Sequence, residues 1–204
     1  MGTRHKPGPM AAPLDFPPNS EFDAVIFDCD GTLVDSMPLH HKAWRSAFKS
    51  NGASFDFDWP LFVSRAGMGM RETVFELNAQ FANTLDPDQV VEDQRLAFAE
   101  LQCQLAVIEP VVDFARAQFA RVPLCVASGG ERSVVRRSLE LTGIDRLFRV
   151  VVCNEDVDEG KPSPEMFLKC AAAVGVAPLR CLVIEDGEMG IQAAQAAGMA
   201  WVRV

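Results

Sequence analysis

The sequence predicts an α/β protein whose core is a doubly wound parallel sheet, interrupted by an inserted all-helical domain. Three observations predict it. Residues 24–27 form a short, wholly apolar run that reads as a buried strand and ends at Asp28, Asp30 and Gly31. Past Pro110, strand-like and helix-like segments alternate, the pattern of a parallel sheet with helices on both faces. Between the two, no segment has the character of a good strand.

The expected elements follow in order. Residues 37–49 carry Leu39, Ala43, Trp44, Ala47 and Phe48 at helical spacing, and Asn51-Gly52 supplies a left-handed stop. A second helix starts near Arg71 with Val74, Leu77 and Phe81 on one face. A third starts with Asp86 as N-cap, Pro87 at its first position and Gln89 at its third. Its inward face carries Val91, Phe98, Leu101 and Leu105. Glu109-Pro110 is the return hinge. Helices are then expected at 111–119, 132–141, 164–174 (Ser163 as N-cap, Gly175 beyond the end) and 190–197. Strands are expected at 124–128, 149–153, 181–184 and 200–204. The implied organisation is a disordered tail at 1–20, a Rossmann-like core at 21–36 and 109–204, and a helical cap at 37–108.

Composition bounds the function. The 204 residues are 49% apolar, enough for a substantial core without disulfides. Six cysteines have no CxxC pairing and several lie in apolar runs, so they read as buried free thiols of a reducing compartment. The formal net charge of -9 disfavours nucleic acid as a partner. No apolar run approaches the ~20 residues of a membrane span, and the proline-rich opening has no apolar signal core. The expectation is a cytoplasmic protein with no membrane partner, monomeric or weakly dimeric.

Two carboxylates one residue apart at a strand end face the same side if the strand continues. Such a pair is costly unless a cation sits between them or one is protonated. It suits a nucleophile beside a proton-transfer group. Ligands in open sheets bind beyond the carboxyl ends of the strands, where Asp28, Ser128, Lys161, Glu185 and Asp186 all fall.

The run Asp28-Cys29-Asp30-Gly31-Thr32-Leu33-Val34-Asp35-Ser36 resembles the first motif of the haloacid dehalogenase superfamily, in its phosphatase and phosphomutase branch. Leu124 to Gly129 is similar to the second motif, Gly160-Lys161-Pro162 to the third, and Val183-Ile184-Glu185-Asp186-Gly187 to the fourth. The resemblance implies Asp28 as nucleophile at phosphorus, Asp30 as general acid and base, Lys161 as a fixed cation and Ser128 as a phosphate donor. It implies magnesium held by Asp28, Glu185, Asp186 and the Asp30 main-chain carbonyl. Gly31, Thr32 and Gly129 become phosphate-loop residues. His40, near the hinge, and Arg71, on the cap, become candidate substrate contacts. The alternative for Lys161 is simple ion pairing with the acidic run 155–159.

Within the family, residues 40–44 and 167–176 look most like small sugar-phosphate phosphatases, the fructose-1-phosphatase-like and beta-phosphoglucomutase-like groups. Two departures stand out: Glu188 adds a carboxylate near the metal acids, and Glu131 stands where some mutases carry a lysine. The expected function is a magnesium-dependent phosphatase of a small phosphorylated metabolite. Its rivals are a phosphomutase and a catalytically silent binding protein on the same fold.

Overall fold

A computed structural model describes residues 22–65 and 67–204, so the tail expected at 1–20 lies outside the described residues. Strand β1 (Ala24–Phe27) is buried along its whole length, as a purely apolar run in a parallel sheet must be. It lies between β2 (Leu124–Ala127) and β4 (Cys181–Glu185), with Ile26 opposite Cys125 on one side and Val183 on the other. Strands β3 (Val150–Val152) and β5 (Ala200–Arg203) complete a five-stranded parallel sheet in the order β3-β2-β1-β4-β5.

Period-two alternation divides the sheet between two cores. Val25, Phe27, Val126 and Ile184 face α5 (Glu109–Gln118) and α6 (Arg132–Leu141). Ala24, Ile26, Cys125 and Val183 face α7 (Glu165–Val174) and α8 (Glu188–Ala196). The chain winds outward from β1 to β3 and then returns to the other side at β4. The boundary between β1 and β4 is therefore the switch point of the sheet, where a ligand crevice opens.

The block between β1 and α5 contains α1 (Met37–Ser50), α2 (Trp59–Val63), α3 (Met70–Phe81) and α4 (Pro87–Leu101). It has its own core, in which Trp44 and Phe48 stack and Val74, Leu77 and Val90 are fully buried. The two chain segments that join it to the sheet run side by side. Asp35 N donates to Ala106 O at 2.9 Å, Ile108 N donates to Leu33 O at 2.9 Å, and Val34 bridges Val107.

Several local expectations shift. Helix α2 was not foreseen: at five residues it is too short for a periodic signal, and Asp58 starts it by accepting from Leu61 N at 2.9 Å. Gln89 does not close a capping box on Asp86, because its amide donates to Asp93 at 2.9 Å. Helix α4 ends at Leu101, so Leu105 lies past it. Glu109 and Pro110 form the first turn of α5 instead of a hinge, since proline is well suited to that position. Pro164 takes the N-cap place expected of Ser163, whose Oγ only accepts from Glu165 N at 3.4 Å. Helix α8 starts at Glu188, two residues before the expected Gly190. Cys29, Cys125, Cys153, Cys170 and Cys181 are buried free thiols, and Cys103 is exposed. Among the described residues no helix is long and apolar enough to cross a membrane.

Candidate active site

Asp28 is the first residue past β1 and keeps the sheet's hydrogen bonding for one more step, its N–H donating to Ile184 O at 2.9 Å. That register sets its side chain beside Glu185, the last residue of β4. Asp28, Glu185 and Asp186 each offer a carboxylate oxygen within 4.8 Å of the others. Lys161 reaches into the same spot. Its Nζ donates to Asp28 Oδ1 at 2.6 Å and to Glu185 Oε1 at 2.7 Å, with the Phe167 ring 5.2 Å below. The Lys161–Pro162 peptide is cis.

Glycines let the acids crowd. A Cβ on Gly190 would lie 1.7 Å from Glu185 Oε1, and one on Gly31, at φ +86, would lie 2.5 Å from Asp186 Oδ2. Glu185 Oε2 also accepts from Gly187 N at 2.7 Å, and Asp186 Oδ1 accepts from the Thr32 hydroxyl at 2.9 Å.

The charges follow from this packing. Burial, reinforced by Glu185 and Asp186, pushes the Asp28 carboxyl well above the usual range although Lys161 opposes it. Burial and Glu185 push Asp186 up as well. Burial works against the Lys161 charge, but the carboxylates of Asp28 and Glu185 win and raise its pKa. Three acids facing one ammonium leave an excess of negative charge, so the oxygen donor set fits a hard divalent cation such as magnesium.

Asp30 lines the same cavity of about 1060 Å³ as Asp28, but its carboxylate is turned to other partners and is not in the acidic trio. Its Oδ1 accepts from the buried Ser36 hydroxyl at 2.6 Å and lies 3.7 Å from His40 Nε2. Burial raises the Asp30 pKa, yet the nearby His40 ring, the Ser36 hydrogen bond and the Lys161 charge outweigh it and hold the group below its ordinary value. His40 is fixed in turn by stacking on Phe98 at 3.8 Å. Ser128, at the tip of β2, is buried and lines the cavity; its Oγ accepts from Gly130 N at 3.1 Å, which leaves its own proton to donate.

Two expected phosphate-loop residues sit elsewhere. Thr32 is fully buried and spends its hydroxyl on Asp186, and the Gly31 N–H donates to Val34 O at 2.9 Å. Thr32 holds the acid from behind, and Gly31 leaves room for it by lacking a Cβ. Gly129 lines the cavity with nothing near its Cβ position. Arg71 lies on the cavity wall, exposed, and pairs with Asp88 at 2.6 Å. Lys161 pairs with Asp28 and Glu185 and not with the acidic run 155–159. Within that run, Glu155 accepts from Arg132 N at 2.9 Å and Asp156 from Cys153 N at 2.8 Å. Sequence reasoning gave no role to Ser36, nor to the Arg95–Glu131 ion pair that ties α4 to the loop before α6 at the cavity wall.

An acidic trio at adjacent strand tips, clamped by a buried lysine from a later loop, on a sheet with a helical insertion after β1, defines a class of phosphate-handling hydrolases. The profile of the haloacid dehalogenase-like hydrolase family matches residues 22–198, and the chain belongs to that family. It is 33% identical over 179 residues to the fructose-1-phosphate phosphatase of Escherichia coli, covering 87% of this chain and 94% of that one. It is 28% identical to the phosphorylated carbohydrates phosphatase of Thermotoga maritima, covering 87% and 82%. The crystal structure of a predicted phosphoglycolate phosphatase from Haemophilus somnus superposes with a TM-score of 0.80 at 26% identity, over 90% of this chain and 85% of that one.

Proposed function

We propose that the protein is a magnesium-dependent phosphatase that hydrolyses a small phosphorylated carbohydrate through an aspartyl-phosphate on Asp28. The observation that carries this reading is the buried Lys161 bridging Asp28 and Glu185 beside Asp186. Family membership and relatives named as phosphatases support it. Asp28, Glu185 and Asp186, with the Asp30 main-chain carbonyl that the family resemblance adds, would hold magnesium, which when bound screens the phosphate charge from the attacking carboxylate.

The residues divide the remaining work. Lys161 opposes the burial that favours protonated Asp28 and orients its carboxyl, so one of its oxygens can attack phosphorus. The Ser128 hydroxyl donates to a phosphate oxygen. The bond from phosphorus to the ester oxygen breaks, and the leaving alcohol takes its proton through Asp30, which must first take that proton from solvent because its resting form is the carboxylate. Asp30 then takes a proton from the water that cleaves the acyl phosphate, which restores Asp28 and releases inorganic phosphate. Its carboxylate is held ready for that second step by Ser36 and His40.

Against the mutase reading stands Glu131, an acid paired with Arg95, which offers no cation for a second phosphate. The test is a panel of phosphorylated sugars with magnesium or chelator, following free phosphate and isomerised sugar separately. Phosphate release that needs magnesium, and that falls at least about a thousandfold in Asp28→Asn, is expected. Isomer without phosphate, or an active Asp28→Asn, overturns the reading.

A further inference from the structure

Among the described residues, eight carboxylate side chains and three cationic ones line the cavity over the acids. A phosphate ester, itself largely a dianion near neutral pH, enters a space whose negative excess one divalent cation reduces and does not cancel. Each of the three cations already has a carboxylate partner. Lys161 is committed to Asp28 and Glu185 in a buried cluster. Arg71 pairs with Asp88 inside the helical block, α3 to α4. Arg95 pairs instead across to the core, from α4 to Glu131 on the loop that follows Ser128.

That ion pair stands where two spaces meet. A smaller chamber of about 290 Å³, enclosed mainly by the helical block, opens beside the cavity, and Arg95 and Glu131 line both. Their side chains are 44% and 39% exposed, so the guanidinium has surface open to whatever occupies the cavity. Gly130, just before Glu131, adjoins the catalytic groups: a Cβ there would lie 3.3 Å from Ser128 Oγ and 3.6 Å from Asp30 Oδ2. The carboxylate that holds Arg95 therefore belongs to the same turn as the hydroxyl assigned to phosphate. An exposed ion pair contributes little, because water and salt screen it. A phosphate offers the guanidinium fork more charge and oxygens spaced for paired hydrogen bonds. With phosphate present, exchange of one anion for the other is favourable.

We propose that Arg95 is a phosphate-binding residue, and that the Glu131 carboxylate is an internal stand-in for the phosphate while the site is empty. As the ester settles over Asp28, the guanidinium turns from Glu131 to a phosphate oxygen. The helical block thereby adds a contact to that of Ser128, and Glu131 weakens phosphate binding by competing for the same cation. This rests on the phosphatase reading above, and deepens it by naming a further residue that holds the reacting group.

Calorimetry with inorganic phosphate and magnesium tests it, at about 0.15 M salt so that charges not in contact are screened. Glu131→Gln should bind phosphate several-fold more tightly than wild type. Arg95→Gln added to Glu131→Gln should bind about tenfold or more weakly than Glu131→Gln alone, the worth of one charge-assisted hydrogen bond. Arg95→Lys in the same background should fall between them. Both side chains are part-exposed, so none of these substitutions threatens the fold. If Arg95 served only to neutralise Glu131, removing both charges would cost no affinity, so a double variant equal to Glu131→Gln overturns the proposal. So does a Glu131→Gln protein that binds phosphate no more tightly than wild type, or not at all. Turnover of phosphate esters, assayed alongside, separates the two readings. No turnover with the calorimetric order intact sinks the phosphatase and keeps Arg95. Turnover with equal phosphate affinity in the two variants does the reverse.

Discussion

Lys161→Met replaces the ammonium between Asp28 and Glu185 with an apolar chain of similar length. Only 11% of the lysine side chain is exposed, and it makes bonds of 2.6 and 2.7 Å to groups 10% and 5% exposed. Solvent therefore screens little, and the two carboxylates are left facing each other. Removing one partner of a buried pair costs about 3–5 kcal/mol, a large part of the ~5–15 kcal/mol that a domain has in total. At roughly 2–4 °C per kcal/mol for a domain of this size, the melting temperature in chelator should drop by about 6–20 °C. Magnesium should then recover more of that loss than it adds to the wild type, because a divalent cation replaces the missing charge among the same oxygens. Thermal unfolding with chelator and across a magnesium titration reads both quantities. A variant that melts within about 2 °C of wild type in chelator would refute the buried clamp, and equal magnesium increments would refute the shared site.

Gly190→Ala forces a methyl into Glu185, whose Oε1, Cδ and Cγ lie 1.7, 2.1 and 2.6 Å from the Cβ position. The carboxylate must leave Lys161, so magnesium affinity measured by calorimetry should fall by about tenfold or more; an unchanged affinity would show that Glu185 is not a ligand. Thr32→Val keeps the shape but removes the hydroxyl on Asp186, and should weaken magnesium several-fold at a stability cost of about 1 kcal/mol, checked by denaturant melts. Asp93 bridges α1 and α4: hydrogen bonds from Asn51 and Gln89, opposed by slight desolvation and helped by Ser50, hold its pKa below the ordinary 3.8. A depressed acid stabilises the fold above its unfolded pKa, and that share is lost as pH falls through the lower folded value. Asp93→Asn should therefore melt below wild type at pH 6, with the gap closing toward pH 3. A gap independent of pH would contradict the assignment.

What the sequence disclosed, and what it withheld, divides by distance along the chain. The apolar run before Asp28, the strand and helix alternation after Pro110, and the Asp86-Pro87 start of α4 are local signals written within a few residues. Helix α2 escaped because five residues hold barely one turn of periodicity. Lys161 was ambiguous because its neighbours are acidic, and only the folded chain brings it to Asp28, 133 residues away. The side-chain meetings that shape the chamber are of that long-range kind as well. His40 lies on Phe98, and Arg95 pairs with Glu131 across 36 residues. Thr32 sits inside the first motif, where its loop position suggested phosphate, and its hydroxyl is instead seen donating to Asp186, a partner 154 residues on that no local pattern announces.

The side-by-side crossing at Val34 and Val107 has a consequence for how such a protein diversifies. Entry to and exit from the helical block occupy neighbouring backbone positions. The whole block can therefore be exchanged as a graft at one double junction, while β1 and β4 keep Asp28 beside Glu185. A chimera built at that crossing would keep Asp28, Ser128, Lys161, Glu185 and Asp186 from one parent and take His40, the partner of Asp30, from the other.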